Sequence, residues 1–355
     1  VNASVVGFED ELAREAAHAG GKVARLAGMA QAGLPVPPGF AVCAGAWRAF
    51  LAAGDRERRV ADVLAGLGAG ATPEALADAS RRLGELMAAE PLPAALEGDV
   101  RERYAALGER LGTPDPPVAV RSSATLEDAA TDSFAGQYET YLWVTGADAV
   151  IAGIRGCWAG LFSATGLAYA AHSGIDVLDS AMAVAVQSMV RARCSGVMFT
   201  LDPRTGDPSV VSIEGSWGLG SAVVGGEVTP DGFVVAKAGM KIRERRVHAK
   251  EIRHVPDPAG SGVRVEPVPA ELRETACLSD EEVLELARLG RQVEGLYGAP
   301  QDIEWGLDER LAFPDCVFLL QARPETVWSR KRSKPVLDPG AGALGWIARS
   351  LTKGA

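Results

Sequence analysis

QDIEW (Gln301–Trp305) and LLQARPE (Leu319–Glu325) decide how this chain is read. Each has the length and polar–apolar alternation of a strand. Strand side chains alternate faces, so Asp302 and Glu304 share one face, and Gln321 and Arg323 share one face. Ile303, Trp305 and Ala322 then fall on the opposite side. Two carboxylates, an amide oxygen and a guanidinium can converge on one place. Hard oxygen ligands suit Mg²⁺, which takes one or two protein carboxylates and completes its shell with phosphate oxygens and water. Arg grips phosphate with a two-pronged hydrogen bond. The set is what a Mg²⁺–nucleoside triphosphate site requires, and matched polar faces on neighbouring strands are more than a solvated surface.

Working outward, Ser279–Tyr297 reads as a helix with Ser279 as N-cap and Glu282 at the capping-box position. Phe233–Lys237 and Lys241–Arg246 read as a hairpin. Val210–Ser216 runs as a strand into a glycine-rich loop, and Ala183–Val190 and Ser195–Thr200 read as strands. Further back, Ala147–Ala171 is helical, Tyr138–Val144 is β-rich, and Val118–Arg121 is a short buried-type strand. Before it, Ala44–Ala53, Val60–Leu67, Pro73–Ala89 and Leu92–Leu107 are helical, and Gly39–Cys43 is a short strand. Leu12–Ala32 is a helix broken at Gly20-Gly21 and stopped at Gly33, with prolines beyond. After Ser329 the chain turns basic, then Pro/Gly-rich, and ends in an amphipathic stretch, Ala343–Lys353. Helices first and strands interleaved later suit an α+β nucleotide binder better than a doubly wound parallel sheet, and no GxGxxG follows a first strand.

Several outer segments carry chemistry, each beside a plainer reading. Gly20-Gly21-Lys22 opens a helix segment, where backbone N–H groups and a point charge suit phosphate. The plainer reading is a helix break with a surface lysine. A Walker A loop is excluded, because Ala16 stands where Gly is required and Val23 where Ser or Thr is required. Arg121 points from a strand end into a polar loop containing Gly136, which is either a lid over phosphates or a solvated connection. Gln187, Met189 and Val190 end an apolar strand and suit the adenine side of a nucleotide, or simply fill core. Glu214, at a strand end before a glycine turn, can bind ribose hydroxyls, brace an arginine or cap the turn.

Bulk properties set limits. With 355 residues, 47% hydrophobic and 23% charged, the chain can bury a large core and is not globally disordered. A formal charge of −10 argues against non-specific nucleic-acid binding. Five dispersed cysteines with no CxxC pair suit a reduced, cytoplasmic protein with idle thiols. The four histidines show no zinc spacing. Val1–Leu12 carries acids and no long apolar run, so no signal peptide is expected. No stretch approaches the roughly 20 apolar residues of a membrane helix.

The runs GGKVARLAGMAQAGLPVPPGF (20–40), VAVRSSATLED (118–128), DSFAGQYETYL (132–142), VAVQSMV (184–190), SGVMFT (195–200), EGSWGLG (214–220), QDIEW (301–305) and LLQARPET (319–326) together resemble the ATP-binding domain of the dikinase family. That family includes phosphoenolpyruvate synthase, pyruvate phosphate dikinase, rifampicin phosphotransferase and phenylphosphate synthase. The resemblance implies an ATP-grasp-like bilobed fold over residues 1–329, with lobes roughly 1–185 and 186–329 and ATP between them, followed by a linker and tail at 330–355. By motif, Lys22 and Arg121 match the phosphate-contacting cations and Gly136 the phosphate-covering loop. Gln187, Met189 and Val190 match the adenine-side segment. Glu304 and Gln321 match the Mg²⁺ ligands, with Asp302 nearby, and Arg323 matches the arginine on the terminal phosphates. The connection from Glu304 to Gln321 is longer than the family's pattern.

The resemblance implies ATP and Mg²⁺ as ligands and transfer of a pyrophosphoryl group to a histidine, leaving AMP. The γ-phosphoryl goes on to water or phosphate, and the phosphohistidine phosphorylates an acceptor. That histidine belongs to a TGG-type motif on a separate swivelling domain. None of His18, His172, His248 or His254 stands in one, so a phosphohistidine-domain partner chain or further domain is expected. A natural ATP-binding subunit, as in phenylphosphate synthase, is the favoured form. The competing expectations are an ATP sensor without turnover and an ATP-grasp ligase that makes an acyl-phosphate and ADP.

Overall fold

A computed structural model describes residues 3–67, 70–124, 140–173, 177–178 and 180–328. It is a mixed helix-and-sheet (α+β) structure organised around two antiparallel sheets. In the first half, β1 (Val5–Gly7), α1 (Ala16–Gln31) and β2 (Gly39–Val42) are followed by α2 (Ala44–Ala52), α3 (Arg56–Ala65), α4 (Pro73–Ala89) and α5 (Ala94–Leu111). Then come β3 (Val118–Ala124), β4 (Thr140–Val144), α6 (Ala147–Ala159), α7 (Ala164–Ser173) and β5 (Met182–Ser188). Five strands pair in the order β1-β2-β5-β3-β4. The second half holds β6 (Ala192–Phe199), β7 (Val210–Trp217), α8 (Ser221–Val224), β8 (Asp231–Ala236), β9 (Lys241–Arg246), β10 (Ile252–Pro256), β11 (Val263–Pro267), α9 (Asp280–Tyr297), β12 (Gln301–Asp308) and β13 (Val317–Pro324). Six of these strands pair in the order β13-β12-β6-β7-β8-β9, and β10-β11 is a separate hairpin.

Each sheet has its own core. Trp47, Phe50, Trp158 and Phe162 pack as an aromatic cluster against β5 and β3 residues such as Val184, Val186 and Val120. The second core gathers Met198, Ile213, Phe233, Ile303 and Trp305 with Leu286 and Val293 of α9. Helix α1 belongs to this second core through Val23, Leu26 and Met29, yet it also lies against β3 and β5 of the first sheet. It is therefore wedged between the sheets, and β5, buried along its whole length, is covered on both faces.

Local rules explain the element ends. Ser279 and Glu282 form the reciprocal capping box at the start of α9, which ends at Gly298 in the left-handed region. Thr72 caps α4 by accepting from the Ala75 N–H, with Pro73 in the first turn. Helix α1 is interrupted at Gly20, whose φ of 77° and ψ of 161° leave the helical region.

Some elements differ from the sequence reading. The helix expected over Ala147–Ala171 is two helices, because the chain tightens into a 3₁₀ turn at Gly160–Phe162 and Ser163 is extended. Strand β5 stays in the first sheet to Ser188, and the second sheet begins only at Ala192. The first strand β1, the turn of helix α8 within the glycine-rich loop and the hairpin β10-β11 are short elements that were not expected. That hairpin reaches the first half: Gly262 N–H donates to the Trp143 carbonyl at 3.1 Å, and Ser261 Oγ lies 3.2 Å from Thr145 Oγ1.

All five cysteines are buried and none is in a disulfide. Among the described residues no single helix is long and apolar enough to cross a membrane. The apolar pair Ala147–Phe162 and Ala164–His172, bent by 42°, packs in the first core.

Candidate functional site

The late strand pair is in register. Strands β12 and β13 are antiparallel, with Asp302 opposite Arg323 and Glu304 opposite Gln321. The long connection between them does not disturb these pairs; a bulge follows them, at Glu304/Trp305. Ile303 and Trp305 are fully buried in the second core, and the four polar residues occupy the other face.

Arg323 grips Asp302, with Nε and Nη2 at 2.8 and 2.7 Å from Oδ2. Burial raises the Asp302 carboxyl above its ordinary value, and the negative charges of Glu304 and Glu325 push the same way. The Arg323 guanidinium opposes this without cancelling it.

From the other sheet, Arg121 of β3 reaches across the junction. Its Nη1 donates to Gln321 Oε1 at 3.3 Å and its Nη2 to Glu304 Oε2 at 3.2 Å. The pair is half-withdrawn from water, with side chains 18% and 25% exposed. Arg121 Nε is buried and has no hydrogen-bond partner among the described residues.

Lys22 arrives beside Arg121 because α1 is locked to the end of β3. A Cβ on Gly20 would collide with the backbone carbonyl of Ser123, so only glycine allows this approach. Ser123 Oγ accepts the Val23 N–H at 3.2 Å, capping the helix segment that restarts there. Lys22 Nζ then donates to the Ser122 carbonyl at 3.3 Å. One turn on, Arg25 Nη1 reaches Gln301 Oε1 at 3.5 Å and its guanidinium stacks 4.8 Å over the Tyr297 ring. Ser123 stood in the sequence only as part of the run Arg121-Ser122-Ser123, with no role of its own, and Arg25 was not singled out; the only available signal was their place beside Arg121 and Lys22.

The remaining expected residues are placed less uniformly. Glu214 of β7 lies opposite Val197, which lies opposite Glu304. It therefore shares the polar face, two strand spacings or roughly 10 Å from Glu304. Its side chain makes no hydrogen bond or ion pair among the described residues. Gln187 is not brought to the group: its side chain is 3% exposed, with Nε2 at 3.5 Å from the Pro37 carbonyl. Met189 is half-buried and gives its N–H to the Pro117 carbonyl at 2.9 Å. Val190, at the crossover between sheets, approaches Gly306 of β12 together with Leu320. Gly136 and the expected linker and tail at 330–355 lie outside the described residues.

The donor set has a definite chemistry. Among the described residues no group of three or more His, Cys, Asp or Glu side chains could hold a metal by itself. One carboxylate, one amide oxygen and a nearby second carboxylate fit Mg²⁺ that arrives with phosphate oxygens. Arg121 and Arg323 both contact this polar face, and Lys22 reaches the carbonyl of Ser122 next to Arg121; guanidinium and ammonium groups of this kind suit a polyphosphate. A depression of ≈ 340 Å³ between Gly33–Pro35 and Glu285–Gln292 shares none of these residues; it is shallow and carries no convergent cations.

The family model for the pyruvate phosphate dikinase AMP/ATP-binding domain matches residues 16–341. Phosphoenolpyruvate synthase of Aeropyrum pernix is 41% identical over 343 residues, covering 90% of this chain and 42% of that protein. A probable phosphoenolpyruvate synthase of Methanothermobacter thermautotrophicus is 39% identical over 355 residues, covering 98% of this chain and 51% of that protein. The prodigiosin synthesizing transferase PigC of Serratia marcescens is 39% identical over 319 residues, covering 89% of this chain and 32% of that protein. The chain thus spans about half, or less, of the length of these relatives. With most of its length matched by one family model, the chain belongs to the pyruvate phosphate dikinase AMP/ATP-binding domain family.

Proposed function

We propose that this chain is the ATP-binding module of a dikinase-type phosphotransferase, with Mg²⁺–ATP held between two lobes of ATP-grasp type. It passes the pyrophosphoryl group of ATP to a histidine on a partner chain or further domain and releases AMP. The observation that carries this reading is the contact of Arg121, from one sheet, with Glu304 and Gln321 of the other. Residues from both sheets are thereby aimed at one position.

In this reading Lys22 of α1 and Arg121 of the first sheet hold the phosphates, and Arg323 holds the terminal phosphates from the second sheet. Met189 and Val190, with the main chain at Gln187, line the adenine side. Glu214 faces the ribose. Glu304 and Gln321, with Asp302 close by, would hold Mg²⁺, which supplies charge neutralisation on the phosphate oxygens when bound. Phosphoryl transfer is accelerated chiefly by such positioning and neutralisation. Nothing among these residues serves as the attacking nucleophile. The γ-phosphoryl then passes to water or phosphate, and the phosphohistidine serves an organic acceptor bound elsewhere.

The test is product identity. The full chain with ATP, Mg²⁺ and a histidine-bearing partner is expected to form AMP, and little nucleotide turnover is expected without that partner. Formation of ADP as the main product would contradict the reading and favour an acyl-phosphate ligase. Absence of turnover with every such partner would favour a nucleotide sensor.

A further inference from the structure

We infer that Arg121 makes this site select a metal–polyphosphate complex over the free metal ion, because its guanidinium and a divalent cation compete for the same two oxygens. The inference rests on the metal reading of Glu304 and Gln321 given above. Those two side chains offer Glu304 Oε2 and Gln321 Oε1 toward the junction, and Arg121 donates to both. A hard divalent cation wants the same carboxylate and amide oxygens. A guanidinium on both oxygens opposes a divalent cation there, since two like charges at this spacing repel in a partly desolvated place.

The backbone of Arg121 is fixed. It is paired with Ala185 on one side and Thr140 on the other, so only the side chain can yield. Leaving Glu304 and Gln321 without a new acceptor would strand a charged group whose Nε already has no partner among the described residues, and unpaired buried charge is costly. The second carboxylate is engaged in the same manner, with Asp302 held by Arg323. A free metal ion therefore meets two guanidinium groups on its oxygens and no set of three protein ligands of its own among the described residues.

A polyphosphate reverses this balance. Its oxygens accept the two-pronged guanidinium bonds that the carboxylates were accepting. Arg121 can then turn onto phosphate and release Glu304 and Gln321, which would be free to hold the metal. Metal and phosphate affinities are then coupled, each raising the other by the same factor.

Equilibrium dialysis of the full chain against Mn²⁺, alone and with the β,γ-methylene analogue of ATP, tests this without any turnover. The wild-type chain is expected to retain Mn²⁺ at least about 10-fold more tightly with the analogue than alone, a factor that corresponds to a modest coupling. Arg121→Met is expected to retain Mn²⁺ alone at least about 10-fold more tightly than wild type, and Glu304→Gln to lose retention under both conditions. Equal retention of Mn²⁺ alone by wild type and Arg121→Met overturns the competition while leaving the metal assignment standing. Failure of the wild-type chain to retain Mn²⁺ even with the analogue overturns the metal assignment itself. If Arg121→Met does not fold by circular dichroism, Arg121→Lys decides: a single ammonium cannot grip both oxygens, so retention of Mn²⁺ alone must still rise, and an unchanged value overturns the inference.

Discussion

Arg121 Nη2 lies 3.2 Å from Glu304 Oε2, although the two residues are 183 positions apart and sit in different sheets. Arg121 stands in the middle of β3, an inner strand of the first sheet that runs on to Ala124 and does not end at Arg121, and Glu304 faces it from the second strand of the other. The contact ties the two halves together at the place where the ligand-type residues converge. The consequences of that placement can be measured one by one.

Arg323→Ala should reduce turnover, measured with the histidine-bearing partner, far more than stability, and Glu304→Ala should reduce it likewise but at some cost in stability, because Arg121 loses one of its two acceptors. Arg323 is 51% exposed, and exposed ion pairs contribute about 0–1 kcal/mol. Loss of a group that neutralises transition-state charge typically lowers the rate on the order of 100-fold or more. Thermal unfolding and steady-state rates on the same preparations check this; a grossly unfolded variant would speak against the assignment.

Asp302 gives a pH signature. Burial, reinforced by Glu304 and Glu325, raises its folded-state pKa above the ordinary 3.8. Between the unfolded and folded values the folded chain binds more protons, so this group's contribution to stability falls as pH rises through that window. Asp302→Asn removes the ionisation. The variant should be at least as stable as wild type above the window and should lose that part of the acidic pH dependence, while binding Mg²⁺–ATP more weakly. Unfolding midpoints across the acidic range, alongside calorimetric titration, separate the two effects.

Gly20→Ala should be severe. The residue sits at φ 77° and ψ 161° against the Ser123 carbonyl, a region essentially reserved for glycine, where another residue pays about 1–3 kcal/mol before any collision. Ser123→Ala removes only the cap on Val23 and should cost about 1 kcal/mol. Both displace Lys22, so ATP affinity should fall in each. Affinity unchanged in a folded Ser123→Ala chain would show that Lys22 is not held by this lock.

Asp231→Ala should destabilise without touching the site directly. Asp231 and Lys250 are both fully buried and bonded at 2.7 Å, and Asp231 also accepts the His248 and Cys277 N–H groups. Removing one partner of such a pair typically costs about 3–5 kcal/mol. Chemical denaturation measures it, and a loss under 1 kcal/mol would contradict the account of this network.

Much of this arrangement was legible where local rules apply. The faces of QDIEW and LLQARPE followed from alternation, the start of α9 from Ser279 and Glu282, and the break in α1 from its glycines. Other features depend on tertiary placement, which no local pattern encodes. The hairpin β10-β11 buries neither face fully, its strands being half-buried or exposed throughout, and it is pinned by Arg253 on Glu266 and by Gly262 on Trp143. The burial of Gln187 against Pro37 and the reach of Arg121 to Gln321 come from how the sheets meet. Arg25 carries no local signal of its own; its stacking on Tyr297 and its contact with Gln301 come from the packing of α1 against the second half.

The central claim is that one Mg²⁺–ATP touches both sheets, and hydrogen exchange on the full chain with and without that ligand tests it most directly. Slowed exchange should appear together around Lys22 and Val118–Ser123 on one side and around Gln301–Trp305 and Gln321–Arg323 on the other. Protection confined to one sheet, or falling instead on Gly33–Pro35 and Glu285–Gln292, would contradict it.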